Sequence, residues 1–214
     1  MNRVGGLNWQ NYIKKPDGIT DTVKLEYNTQ DIQDLIIYAD ELNYKKRIVK
    51  DLAVLLRGCN DTETLKNIWQ FVRTNIKYVA DSVNNDSVQS ANALLFKGIG
   101  DCKSMTLISA AFCRELKIPY KFRFTGYDGS KRIKHVYLIA WADNKIIPVD
   151  CVYWKFGYEV PFTYREDYEI TKFPTGINGT GTVTTTNTEP TNSNFFGNAT
   201  KFFVGYLILK AFSK

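Results

Sequence analysis

The chain has 214 residues, 44% hydrophobic and 23% charged, which supports a buried core and excludes a wholly disordered chain or a polytopic membrane protein. The formal charge is +6, but the basic residues are scattered, with tight clusters only at Lys45-Lys46-Arg47 and at Lys131, Arg132 and Lys134; no aromatic residues alternate with them, so the pattern argues against nucleic acid and reads as a solvated basic face. The single histidine, His135, excludes histidine-rich zinc sites and confines any imidazole chemistry to one residue.

Residues 1–30 are mixed and contain Gly and Asn, and read as an N-terminal arm. A helix is expected to start near Thr29 to Asp31, with Ile32, Leu35, Ile36, Ala39 and Leu42 at helical spacing. A second stripe runs through Ile48, Leu52, Leu55 and Leu56 to a stop at Gly58. Asn60 and Glu63 form a capping box for a third helix with Leu65, Ile68, Trp69, Val72 and Ile76 inward. Asp81 to Gln89 reads as a polar loop, followed by a short apolar stretch, Ala93 to Phe96, and by Gly98-Ile99-Gly100. Asp101 to Lys117 reads as a helix with Met105, Ile108, Phe112 and Leu116 on its apolar face, ended by Pro119.

Strands follow. Tyr120 to Thr125 alternates as a strand with one buried face, Asp128-Gly129 turns, and His135 to Trp141 is the next strand. Asp143-Asn144 turns the chain into Lys145 to Asp150. Helices first and an antiparallel meander after them predict an α+β domain over residues 31–173. Residues 174–194 are rich in Thr, Gly and Asn and read as a flexible linker. In residues 195–214, Phe195, Ala199, Phe202, Phe203, Tyr206 and Leu207 share a helical stripe. Three placements are open for this tail: against the domain or the protein assembly it attaches to, flat on a membrane surface, or across a membrane. Lys201 and Lys210 leave its apolar run well short of the ~20 residues a span needs.

The four cysteines are Cys59, Cys102, Cys113 and Cys151, with no C-x-x-C pair, and Met1 to Trp9 lacks a signal-peptide pattern. The expected setting is reducing and cytoplasmic. Cys59 and Cys113 fall on helical faces and read as core thiols. Cys102 differs, because it stands where a glycine-containing turn enters a helix. Helix N-termini favour a thiolate, and their free N–H groups suit an oxyanion. His135 opens one strand and Asp150 closes its neighbour; a hairpin centred between residues 142 and 143 sets the two side by side, so that Asp150 orients the imidazole. Cys151, one residue on, points to the opposite face. The Gly98 to Ser104 stretch lacks the Gly-Lys-Ser/Thr adjacency of a phosphate loop.

At these residues the chain resembles the transglutaminase-like superfamily. Gly100-Asp101-Cys102 is similar to the family's Gly-Asp-Cys at the head of the nucleophile helix. Leu116-Lys117-Ile118-Pro119-Tyr120 is similar to its helix exit, and His135-Val136-Tyr137 and Ile147-Pro148-Val149-Asp150 to its histidine and aspartate strands. The family often has Trp at the place of Tyr137 and Pro at that of Cys151. The resemblance implies a papain-like core with the nucleophile helix packed on an antiparallel sheet, and Cys102, His135 and Asp150 as nucleophile, base and orienting acid. It also implies an enzyme acting on amide bonds of a protein or peptide substrate through a thioester, as a hydrolase or an acyltransferase; the family's calcium sites find no counterpart in this sequence, and no cofactor or metal is expected. Gln89 matches a glutamine-containing segment and is a candidate for substrate or oxyanion binding, with capping of local backbone as its alternative. The rival reading of the whole chain is a non-catalytic structural or adaptor protein of a larger assembly, such as a phage virion, on the same fold.

Overall fold

The computed structural model describes residues 8–13, 15, 16, 22–25, 29–81, 86–170 and 183–185. The aromatic stripe expected in 195–214 lies outside them, as does most of the stretch read as a linker. In chain order, a 3-10 turn at Trp9–Tyr12 precedes β1 (Thr22–Leu25), α1 (Thr29–Lys45), α2 (Lys50–Leu55), α3 (Asp61–Asn75), β2 (Lys77–Tyr78), β3 (Asp86–Gln89), α4 (Ala91–Lys97) and β4 (Ile99–Gly100). Then come α5 (Cys102–Leu116), β5 (Tyr120–Gly126), β6 (His135–Ala142), β7 (Lys145–Val149), β8 (Tyr164–Ile170) and β9 (Val183–Thr185). The main sheet has the order β7-β6-β5-β8-β9, and every neighbouring pair in it is antiparallel. Helices and sheet are segregated along the chain, as in an α+β domain, and α5 packs against β6.

Local signals explain most of these elements. Asn60 accepts the Glu63 N–H at 2.8 Å, and the Glu63 carboxylate accepts the N–H of Cys59 at 2.6 Å, one residue before the N-cap. Asp101 caps α5 by accepting the Ser104 N–H at 3.0 Å. Asp143 and Asn144 both adopt positive φ, the requirement of a type I′ turn between antiparallel strands. The Asp143 carboxylate also accepts the Thr62 N–H at 2.9 Å, so the hairpin tip caps the first turn of α3.

Helix α5 is buried on all sides rather than along one stripe, since α1 to α4 surround it and β6 lies beneath it. Its buried hydroxyls are satisfied locally: Ser109 donates to the Met105 carbonyl and Thr106 to the Val136 carbonyl. The latter bond ties the first turns of α5 to the start of β6. Phe71 and Phe112 meet edge to face at 5.7 Å in a core that also holds Phe122 and Phe124.

Five expectations change. Strand β5 is buried on both faces, because it is central in the sheet and its polar side, with Arg123 and Thr125, is covered as well. Residues 86–89 of the expected polar loop form β3, paired with β1, so part of the N-terminal arm belongs to a sheet. Trp9 of that arm donates to Asn75 at 3.0 Å and packs on Phe96. Val183–Thr185, inside the stretch read as a linker, pairs with β8; its three residues are β-branched. Cys59 is exposed, because the chain leaves helix before Gly58, whereas Cys113 is buried as expected.

Candidate active site

Three elements deliver the candidate residues. Cys102 is the first residue of α5, His135 the first of β6, and Asp150 follows the last residue of β7. Gly100 allows the tight entry into α5, since a Cβ there would run into Leu94 and crowd Ser104. The β6–β7 register pairs Leu138 with Val149 and Ala142 with Lys145. That is two residues away from the register expected from the sequence, and continued outward it sets Asp150 across from Tyr137. A two-residue slip preserves the face, so Asp150 and His135 become diagonal neighbours on one side. The His135 Nε2 and the Asp150 Oδ2 lie 2.8 Å apart.

Asp150 is fixed on every side. Its Oδ1 accepts the Val152 N–H at 2.9 Å, and its carbonyl accepts the Trp69 indole N–H at 2.8 Å. One nitrogen of Arg73 donates to the carbonyls of Cys151, Val152 and Tyr153 at 2.7 to 3.0 Å, while its guanidinium sits over the Trp69 ring. Trp69 and Arg73 are four apart on α3, and thus on one face.

Burial by itself would depress the His135 pKa. Hydrogen bonds to Asp150 and Cys102, and the charges of both, outweigh burial and raise it to about 10. With Nε2 committed to Asp150, Nδ1 is the nitrogen left for the thiol. Next to Cys102, Lys103 is buried and bonded to Asp101 and, at 3.4 Å, to Asp81. Burial opposes the Lys103 charge, but Asp101, Cys102 and Asp81 hold its pKa above the ordinary lysine value. Two tyrosines border the centre. Burial first, then the charge of Cys102, raises the pKa of Tyr78; burial, Asp150 and Cys102 raise that of Tyr127 against the opposing Thr125 hydrogen bond.

Gln89 and Cys151 make hydrogen bonds to other partners. Gln89 ends β3 and donates to the Ile99 carbonyl at 3.4 Å, with its side-chain oxygen buried and unpaired. This hydrogen bond reaches the backbone at the start of β4, which leads into Cys102. The Cys151 sulfur lies 3.2 Å from the Ser109 hydroxyl, and burial pushes its pKa up to about 12. Among the described residues, no group of three or more His, Cys, Asp or Glu side chains could hold a metal ion. No helix among them is long and apolar enough to cross a membrane.

Sequence reading missed Trp69, Arg73, Lys103, Tyr127 and Tyr137. Strand alternation could have flagged Tyr137, two residues from His135, and Lys103 adjoins Cys102 in the sequence; the bonds of Trp69 and Arg73 to residues 150–153 depend on pairing between distant segments.

Comparison with known proteins adds three solved structures of low identity. One is a candidate cysteine protease from Cytophaga hutchinsonii, 16% identical, with a TM-score of 0.34 over 68% of this chain and 47% of that one. Another is a TGase, 14% identical, with a TM-score of 0.37 over 64% and 36%. A third is a candidate protease from Parabacteroides distasonis, 11% identical, with a TM-score of 0.44 over 75% and 30%. This chain thus spans less than half the length of each. No curated protein matches it. The family model described as the transglutaminase-like superfamily matches residues 52–151. That segment runs from α2 to just past Asp150 and includes Cys102 and His135, and over it the chain is similar to the transglutaminase-like superfamily.

Proposed function

We propose that this protein is a cysteine enzyme that acts on amide bonds through Cys102, His135 and Asp150. The observation that supports it is the 2.8 Å His135–Asp150 contact, on an imidazole that also interacts with the first residue of a buried helix. At neutral pH His135 already holds the proton of the Cys102–His135 pair, and the sulfur forms a bond to the substrate carbonyl carbon. The first-turn amides of α5 receive the oxyanion. As the C–N bond breaks, the imidazolium returns its proton to the leaving amine, and a thioester remains. Water or a second amine then attacks the thioester while His135 accepts its proton; the C–S bond breaks and the Cys102–His135 pair is restored with the proton on the imidazole. Asp150 keeps the imidazole oriented and stabilises its charge throughout.

The test is alkylation at neutral pH with a limiting thiol reagent, located by mass spectrometry. Selective labelling of Cys102 that drops in His135→Ala supports the reading. Slow labelling that is the same in both proteins and does not favour Cys102 over exposed Cys59 overturns it. Incubation of a casein-like protein with an amine probe then separates hydrolysis from transfer.

A further inference from the structure

His135 has a third neighbour. Two residues along β6, Tyr137 lies against its ring, with centroids 5.4 Å apart and planes inclined by 33°. The Tyr137 hydroxyl is held in turn, donating to Oε1 of Glu159 at 2.7 Å. The same oxygen accepts from Nη1 of Arg123 at 2.7 Å. Arg123 spends its other nitrogens on a two-point bond to Asp167, 2.7 Å at each contact, and Lys121 reaches Asp167 at 2.8 Å. Tyr137 and Arg123 face each other across β6 and β5, as do Arg123 and Asp167 across β5 and β8. The chain of contacts therefore crosses three strands and ends on the imidazole.

Its inner members are sheltered, while the Glu159 side chain is 28% exposed. Tyr137 is 2% and Arg123 7% exposed, and paired charges in such surroundings resist displacement by water. Burial and the Glu159 hydrogen bond hold the Tyr137 pKa far above the ordinary tyrosine value, so the hydroxyl keeps its proton and remains a donor. Glu159 belongs to the segment that begins with Asp150. That segment thus meets β6 twice: Asp150 binds His135, and Glu159 binds Tyr137.

An imidazole bonded through Nε2 can still swing about that contact, which would carry Nδ1 away from the thiol. We propose that Tyr137 and Glu159 are positioning residues: Glu159 tethers the Tyr137 hydroxyl so that the tyrosine ring braces His135 in the orientation that serves Asp150 and Cys102 together. The inference rests on the triad reading above. The brace acts through His135 and touches no reacting atom, so its loss degrades alignment and leaves the chemistry intact.

The test compares Tyr137→Phe, Glu159→Ala and Glu159→Gln with wild type in the full chain. Because the chain has one histidine, its imidazole proton resonance is read by NMR without assignment. Cys102 alkylation is followed across pH, at a temperature where circular dichroism shows each variant folded. Tyr137→Phe and Glu159→Ala are expected to slow Cys102 alkylation by roughly three- to tenfold, move its pH profile and broaden the imidazole resonance. Glu159→Gln, which keeps an acceptor for the hydroxyl, restores most of the rate. Wild-type rates and a sharp resonance in the first two variants overturn the brace, and so does a lowered melting temperature as their sole effect. If wild-type Cys102 itself shows no dependence on His135, the triad reading falls; the imidazole resonance then still decides whether Tyr137 and Glu159 fix the ring.

Discussion

Oδ2 of Asp150 meets Nε2 of His135 at 2.8 Å across the open end of the β6–β7 hairpin, where backbone pairing has already stopped at Leu138 and Val149. Side chains therefore close the last gap between the two chain segments. The Asp150 carboxylate is aimed before the histidine arrives, since Val152 holds its other oxygen. The result is an imidazole that stays protonated to about pH 10 beside the Cys102 sulfur.

Asp150→Asn tests the electrostatic half of this relationship. It preserves shape but removes the charge that, with Cys102, outweighs burial. The His135 pKa is expected to fall from about 10 toward or below 6.5, as followed by its NMR titration. Cys102 alkylation at pH 7 should drop by roughly two to four orders of magnitude, as when a triad imidazole loses its orienting charge.

Stability should carry the same signature. The folded-state pKa of His135 lies above its unfolded value of 6.5, so the folded protein holds the extra proton between there and about 10. The pair's contribution is complete below pH 6.5 and is lost as pH rises through that window. Urea denaturation from pH 6 to 10.5 should show stability falling with pH, with a shallower fall in His135→Gln. Cys151, pushed up to about 12, acts in the same direction at the alkaline end, so the histidine term is read as the difference between the two proteins.

Arg73→Met should uncouple reactivity from folding. It leaves the carbonyls of Cys151, Val152 and Tyr153 without their shared donor. The expected loss is about 1–3 kcal/mol by denaturant titration. Asp150 begins the segment these bonds hold, so Cys102 alkylation should slow by roughly tenfold under conditions where the variant is fully folded.

Gly100→Ala probes the entry into α5. Its new methyl would collide with Leu94, which is fully buried, and crowd Ser104. The core must shift, at about 1–3 kcal/mol, and the first turn of α5 moves with it. A lower melting temperature together with slower Cys102 labelling is expected; an unchanged melting temperature would show that Leu94 repacks freely.

Local rules account for what was readable in advance. The caps at Asn60 and Asp101, the apolar positions of α3, Leu35 and Ile36 of α1, and the Asp143-Asn144 turn each act within a few residues, and these reappear in the structure. The order of Cys102, His135 and Asp150, one at a helix start and two at strand ends, was legible for the same reason. The β1–β3 and β8–β9 pairings were not, because partners such as Thr22 and Gln89 are distant in the chain and short strands carry little periodic signal.

By itself, the sequence determined that one histidine must serve any imidazole chemistry, and that it would share a hairpin with Asp150. Side-chain alternation also set their common face, which survives the two-residue displacement of the register. Tertiary structure decided the geometry around them: the diagonal His135–Asp150 contact, the Arg73 and Trp69 clasp on the segment beyond β7, and the Tyr137 ring against the imidazole. The physical reason is range. Caps, turns and alternation are properties of neighbouring residues, whereas the orientation of a buried ring is set by whichever distant side chains the packed core brings against it.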